Sequence, residues 1–278
     1  MLGVCQEATR GFEMKRSQIN DSIRLAIDVL KAHRFELPRW AYWGPANWEH
    51  CGPEANEIKA RRLGWDVTDF GLSQYREQGM VIFTLRDVRV GQPKGDEQKS
   101  ATGQPAEPPS GEASRARHEG SAPAGQRTAR PLPSPAAGYV ERVMFSQVHQ
   151  VNPMHLHRAI TSDLANRGGG DLVIQLYNAG ARGGLDEESR VPIHVNGIFY
   201  NIRAGGLIRL APGDSITLPP GLCHKSWPEK AGCLIGEIAT PGNPNADTHY
   251  VDTEPGPMEI EEDEPALFVL CHEYPEMG

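Results

Sequence analysis

From Tyr139 onward the chain is a succession of short apolar runs broken by Gly, Pro, Asn and Asp, and this pattern constrains its fold more than any other feature. Runs of this length and spacing read as β-strands rather than helices. The candidates are Val140–Val148, Leu172–Tyr177, Val191–Asn196, Ile198–Ile202, Gly206–Leu210, Ser215–Leu218, Cys233–Ala239 and Leu267–Leu270. Asn196-Gly197 is a hairpin turn signal, because both residues tolerate the positive φ angles of a tight turn. Many short strands joined by such turns close into a sandwich or a small barrel. The 30 Gly and 23 Pro suit a mainly β chain of this kind.

Upstream the pattern differs. Residues 1–13 read as an extension, and Met14-Lys15-Arg16-Ser17 as a basic start. Ser17 is a candidate helix cap, and Ile19, Ile23, Ile27 and Leu30 follow at helical spacing until Pro38 ends the pattern. This gives an amphipathic helix of about five turns. Residues 39–75 are aromatic and turn-rich, and residues 80–85 form an apolar run that reads as a buried strand. Residues 91–135 hold eight prolines, six glycines and no aromatic residue, with Leu132 the only large aliphatic side chain. Such a tract buries too little apolar surface to offset its ordering entropy, so it reads as a disordered, removable insertion. It interrupts a single domain spanning residues 14–275, since the strand before it has too little company to fold alone.

The formal net charge of −8 disfavours nucleic acid as a partner, which needs a basic surface. No run of about 20 apolar residues or secretory signal is present, so a membrane is not an expected partner. Five cysteines without a CxxC pair suggest free thiols in a reducing, cytoplasmic setting.

Two motifs carry chemistry. His155-Leu156-His157 puts two imidazoles on one face of a strand, able to hold one divalent metal. Further along, Gly213-Asp214-Ser215-Ile216-Thr217-Leu218-Pro219-Pro220-Gly221-Leu222-Cys223-His224 fits Gly-x5-Pro-x-Gly-x2-His, the second motif of cupin-type proteins. A strand ends at a Pro-Gly turn, and the next presents His224 inward. The 67 positions from His157 to His224 suit a sheet that returns to join the two motifs. The expected architecture is a cupin-type small β-barrel, jelly-roll-like, with an N-terminal helical segment. The expected metal ligands are His155, His157 and His224.

Longer runs sharpen this. Asn166-Arg167-Gly168-Gly169-Gly170-Asp171-Leu172-Val173-Ile174-Gln175-Leu176-Tyr177-Asn178 resembles the D-lyxose isomerase family. So do Gly64-Trp65-Asp66-Val67-Thr68-Asp69-Phe70-Gly71, Pro153-Met154-His155-Leu156-His157 and Glu259-Ile260-Glu261-Glu262-Asp263-Glu264-Pro265, and Met14-Lys15-Arg16-Ser17 and Ala41-Tyr42-Trp43 fit as well. The resemblance covers about residues 14–87 and 139–275. It implies a metal-dependent aldose–ketose isomerase of the D-lyxose to D-xylulose type, with Mn²⁺ as the foremost divalent metal, a small-molecule sugar as substrate, and a homodimer. The three histidines match the family's histidine ligands.

Three positions depart from the family pattern. Ser162 stands where a glutamate ligand follows the second histidine by five residues, Arg142 where a lysine precedes the first by thirteen, and Gly256 where an arginine precedes the acidic run. Serine is a poor substitute for a carboxylate on a hard dication, and arginine stays protonated. Asp163 and Glu237 are the carboxylates able to complete the site, and Glu237 is the candidate catalytic base. Arg142 and Trp43 are the candidate substrate-binding residues. Two other classes stay open: a non-catalytic sugar- or metal-binding cupin, and an Fe²⁺-dependent cupin dioxygenase. Other features read as ordinary structure. Asn166–Gly170 is a turn, Asp163 a turn or cap, Cys271-His272 structural, and Glu259–Glu264 a solvated segment.

Overall fold

The computed structural model describes residues 14–89, 138–253, 256 and 258–276. The extension 1–13 and the insertion 91–135 lie outside the described residues. In chain order the elements are β1 (Met14–Lys15), α1 (Arg16–Ala32), α2 (Pro45–His50), α3 (Asn56–Ala60), β2 (Gly64–Thr68), β3 (Met80–Arg89), β4 (Gly138–Ser146), β5 (Asn152–His157) and β6 (Ser162–Ala179). They continue with β7 (Leu185–Asp186), β8 (Val191–Val195), β9 (Ile198–Ile202), β10 (Gly206–Leu210), β11 (Ser215–Leu218), β12 (Leu222–Ala239), α4 (Pro244–Asp247), β13 (Thr248–Tyr250) and β14 (Ile260–Glu261).

The molecule is mainly β, of the cupin type, with one large antiparallel sheet ordered β2-β3-β4-β12-β6-β11-β8-β9. β10 and β7 also pair with β6, and β5 pairs with β12 and β13. The sheet curls but is not closed into a barrel: among the described residues, β2 and β9 end its path. β6 and β12, each 18 residues long, form its spine and pair over most of their length. These strands run longer than the apolar runs Leu172–Tyr177 and Cys233–Ala239 suggest. Their extra residues alternate buried and exposed through polar positions that a hydrophobic reading passes over. Asn166–Gly170 is not a turn but an irregular stretch inside β6. Asn166 holds it by accepting the Gly168 N–H at 3.0 Å and donating to the Gly170 and Leu210 carbonyls at 2.8 Å. Gly169, at φ +95°, needs its missing side chain there, because a Cβ would strike the Gly232 carbonyl.

α1 packs Ile19, Ile23, Ala26, Ile27 and Leu30 against Trp65, Val67, Phe83 and Phe145 on the outer face of β2–β4. Ile19 and Ile23 are fully buried, and each such side chain contributes roughly 1.5–3 kcal/mol. The second face of the sheet encloses a separate core of Leu172, Ile174, Leu176, Val191, Ile193, Leu210, Ile216 and Leu218. Ser17 lies within α1 and does not cap it. Asp263 does so from across the molecule, accepting the Ser17 N–H at 2.9 Å and the Ser17 hydroxyl at 2.6 Å. An anion is favoured there by the free N–H groups of the first turn.

The acidic run is therefore not merely solvated. Glu262 pairs with the buried Arg16, Glu264 accepts from Asn20, and β14 pairs in parallel with β1. Leu267–Leu270 is not a strand. Asn20 takes its place as backbone partner, accepting the Leu267 N–H at 3.0 Å and donating to the Pro265 carbonyl at 3.0 Å. Phe268 and Leu270 still join the core beside α1.

β3 and β4 are antiparallel neighbours with Arg89 opposite Gly138. The chain therefore leaves and re-enters the sheet at adjacent points around the insertion. Joining Val90 directly to Ala136 leaves a three-residue connection, ordinary for a hairpin. The shortened protein is expected to fold with a melting temperature within a few degrees of the parent, as thermal unfolding will show. A large fall would make the insertion part of the folded domain.

Candidate metal and catalytic site

His155 and His157 lie two apart on β5, so their rings leave the same face of the strand. His224 enters from β12, where it sits opposite His155. Pro219-Pro220-Gly221 turns the chain from β11 into β12, with Gly221 at φ +79° and its N–H donated to the His157 carbonyl at 2.7 Å. One motif is thus tied to the other by a backbone hydrogen bond. The ring centroids of His155 and His224 are 4.1 Å apart, those of His155 and His157 5.2 Å, and those of His157 and His224 5.8 Å. One nitrogen from each ring lies within 4.8 Å of the others.

His155 Nδ1 is 2.8 Å from the Pro153 carbonyl and His224 Nδ1 is 3.0 Å from the Leu222 carbonyl. A carbonyl only accepts, so both rings carry their proton on Nδ1 and keep the Nε2 lone pair free. Burial, and then the neighbouring imidazoles, holds the His155 pKa well below the usual histidine range. Burial lowers His224 to about 4. Burial also lowers His157, against the pull of Glu237 and Asp247. Three neutral, oriented imidazoles with free lone pairs fit a divalent metal.

This has a consequence for stability. The folded-state histidine pKa values lie below the unfolded value of about 6.5. The unfolded chain therefore takes up protons first, and stability is lost as pH falls. The metal-free protein is expected to show a falling melting temperature from about pH 6.5 toward the His224 value of about 4. A flat profile over that window in the presence of chelator would contradict neutral buried rings.

Glu237 sits on β12 directly opposite Arg142 on β4. Its Oε2 accepts from Arg142 Nη1 at 2.6 Å, and its Oε1 accepts from the Ser162 hydroxyl at 2.9 Å. Burial pushes its pKa up, but the Arg142 charge and the two hydrogen bonds outweigh this and hold the carboxyl below the usual range. Glu237 is close enough to act electrostatically on His155 and His157. Ser162 is buried at the start of β6. A carboxylate from β12 thus stands beside the position where the family pattern has its glutamate.

Asp163 does not complete the site. It is the exposed neighbour of Ser162 on β6, turned to the other face, where it accepts from the Thr217 hydroxyl. Trp43 packs edge-on against Trp48 with centroids 5.2 Å apart, in a layer with Trp40 and Tyr274.

Two residues were hidden from the motif reading. Asp247, at the end of α4, places Oδ2 3.5 Å from His157 Nδ1 and Oδ1 2.7 Å from the Ala159 N–H. Tyr250 pairs with His155 across β13 and β5, its ring 5.6 Å away, and burial raises its phenol to about 12. Asp247 follows His157 by 90 positions and belongs to no metal-ligand spacing. The only local signal is its place after Pro244, in a helix of four residues.

A sequence model of the D-lyxose isomerase family matches residues 14–102 and 126–274. The interruption between the two matched stretches falls inside the Pro- and Gly-rich insertion. A D-lyxose/D-mannose isomerase from Escherichia coli O157:H7 is 33% identical over 264 residues, covering 94% of this chain and 98% of its own. The enzyme of the same name from Serratia proteamaculans is 32% identical over the same shares. Among solved structures, an L-ribose isomerase variant from Acinetobacter sp. DL28 in complex with L-ribose aligns with a TM-score of 0.52. At 13% identity, over 91% of this chain and all of that one, it is alike in fold alone. The sequence matches reach further, spanning both motifs and most of the described chain, and the chain belongs to the D-lyxose isomerase family.

Proposed function

We propose that the protein is a metal-dependent aldose–ketose isomerase acting on D-lyxose and on the related hexose D-mannose. The family carries the reaction class, and the converging His155, His157 and His224 carry the site. These three residues would hold the metal, Mn²⁺ in the first instance, and a bound dication would supply Lewis-acid polarisation of the sugar carbonyl and adjacent hydroxyl. The rest falls to the chain. Glu237, ionised at neutral pH, takes the proton from the hydroxyl-bearing carbon beside the carbonyl and returns it to the former carbonyl carbon, while the hydroxyl proton passes to the former carbonyl oxygen. Arg142 and Ser162 hold that carboxylate, one on each oxygen, and Arg142 presents the remainder of its guanidinium to the sugar oxygens. Trp43 keeps a partly exposed face beyond its contact with Trp48, open to stack on a sugar ring. The buried Glu237–Arg142 pair beside the histidines supports an enzyme over a passive sugar-binding relative, because charged groups held desolvated in one cluster are a mark of catalytic centres. The test is conversion of D-lyxose to D-xylulose, and of D-mannose to D-fructose, by protein stripped with chelator and reloaded with Mn²⁺. Metal-restored turnover supports the reading, and tight sugar binding with no turnover under any divalent ion would make it a binding protein.

Among the described residues, no helix is long and apolar enough to cross a membrane. The four described cysteines are free, which supports a reducing, cytoplasmic setting. The proposed assembly is a homodimer through β9. That strand ends the sheet and exposes Ile198, Phe199 and Tyr200 by 59%, 58% and 43%, a hydrophobic edge that natural proteins cover. Two copies can pair β9 across a two-fold axis. Light scattering is expected to give twice the chain mass, and Phe199→Asp to halve it. A monomeric parent protein would end this assignment.

A further inference from the structure

A second group of metal-binding side chains lies away from the triad. Asp66 on β2, with Cys271 and His272 in the C-terminal segment, brings a carboxylate oxygen, a thiol sulfur and an imidazole nitrogen within 4.8 Å of one another. The sequence reading of Cys271-His272 as purely structural misses this, because Asp66 joins the pair only through the fold.

The segment that presents the two ligands is held on both sides. The Cys271 N–H donates to the Trp65 carbonyl at 2.7 Å, fixing it beside the residue that precedes Asp66. The Tyr274 hydroxyl donates to the Leu63 carbonyl at 2.6 Å. Glu273 grips the buried Arg16 and accepts the Leu270 N–H at 3.2 Å. Ligands carried on a segment pinned at three points lose little freedom when they close on an ion. His272 Nδ1 and Asp66 Oδ1 are 3.7 Å apart, longer than a hydrogen bond and suited to an ion between them. All three residues are partly exposed, so an ion can enter from solvent.

We propose that Asp66, Cys271 and His272 form a second divalent-metal site of the zinc class. Sulfur, imidazole and carboxylate on one centre, with a position left for water, is a donor set that zinc accepts in tetrahedral geometry. Manganese, which favours oxygen and nitrogen donors, suits the all-imidazole triad better than a site with sulfur. Binding replaces the thiol proton by the metal on Sγ and releases that proton to solvent.

Cobalt(II) separates the two sites, because only the second contains sulfur. Full-length protein stripped with chelator is expected to take up two equivalents of Zn²⁺, and with Co²⁺ to develop a thiolate-to-cobalt charge-transfer band in the near ultraviolet. His157→Ala should weaken uptake at the triad and leave that band unchanged. Cys271→Ser should abolish the band, retain the triad equivalent and leave the melting temperature of the metal-free protein near the parent value. His272→Ala should weaken Co²⁺ binding at least tenfold as read from the same band. Cys51→Ser serves as control and should not alter it. Absence of the band in the wild-type protein, or its survival in Cys271→Ser, would overturn the proposal and leave the isomerase reading untouched.

Discussion

Glu237→Gln is expected to lower aldose–ketose turnover by about 10²–10⁴-fold, the range for loss of a general base, with a much smaller change in KM. Glutamine preserves the volume, its oxygen can still accept from Arg142, and its NH2 then donates to the Ser162 hydroxyl, which can accept as well as donate. What it loses is the ability to carry a proton between neighbouring carbons. Removing the charge also leaves Arg142 without its anion in a half-buried position, and breaking such a pair destabilises the fold. The experiment therefore needs a second variant. Arg142→Met with Glu237→Gln removes both charges and should restore the melting temperature toward the parent while leaving turnover low. If low turnover recovers together with stability, Glu237 is a structural partner of Arg142. If turnover stays low in a stable protein, the Glu237–Arg142 pair acts in the reaction and not only in the fold, and the stability-corrected Glu237→Gln single variant assigns the carboxylate's share. Because the Glu237 pKa lies below the usual carboxylate range, its own protonation sets no limit on activity near neutral pH.

The convergence of the three histidines is legible in the sequence. His155-Leu156-His157 and the Gly213–His224 motif each point to the histidines that the fold brings together, because strand alternation fixes which face a residue takes and the Pro-Gly turn fixes where the next strand begins. The mainly β class was legible for the same reason. Other features are invisible to local patterns. Asp263 caps α1 from 246 positions away, and Asp247 reaches His157 from the short α4, 90 positions on and outside any metal-ligand spacing. Those contacts depend on how segments meet and not on local preference. The outward turn of Asp163 was in reach of alternation alone, since its neighbour Ser162 is the one that faces Glu237. The polar stretches that lengthen β6 and β12 were passed over because apolar runs reveal only the buried half of a strand's residues. The acidic segment shows the opposite error. Charge suggested solvent, but Arg16 and the N-terminus of α1 gave it partners inside the fold.

His224→Ala is expected to remove Mn²⁺ retention at the triad on dialysis and, with it, turnover. The reason lies in the ligand count. Ser162 supplies no carboxylate, and the group of close ligand atoms at the site consists of three imidazoles among the described residues. Where a site of three His and one carboxylate can lose a ligand and still hold an ion by charge attraction, three neutral rings depend on every lone pair. Losing one leaves two imidazoles on β5, which open water displaces readily. The fold should survive, because the residues on either side of His224 on β12 remain paired to β6. Asp247→Asn provides the graded comparison. The Thr248 hydroxyl, 3.2 Å from His157 Nδ1, and Asp247, 3.5 Å from the same nitrogen, stand behind that ring, and loss of such an outer partner typically costs 10–100-fold in metal affinity. Excess Mn²⁺ should then restore Asp247→Asn to near-parent turnover and leave His224→Ala inactive. Metal bound equally well by all three proteins would place the ion elsewhere. Turnover in His224→Ala at the parent rate would mean that isomerisation proceeds without this triad, and the proposed mechanism would fall with it.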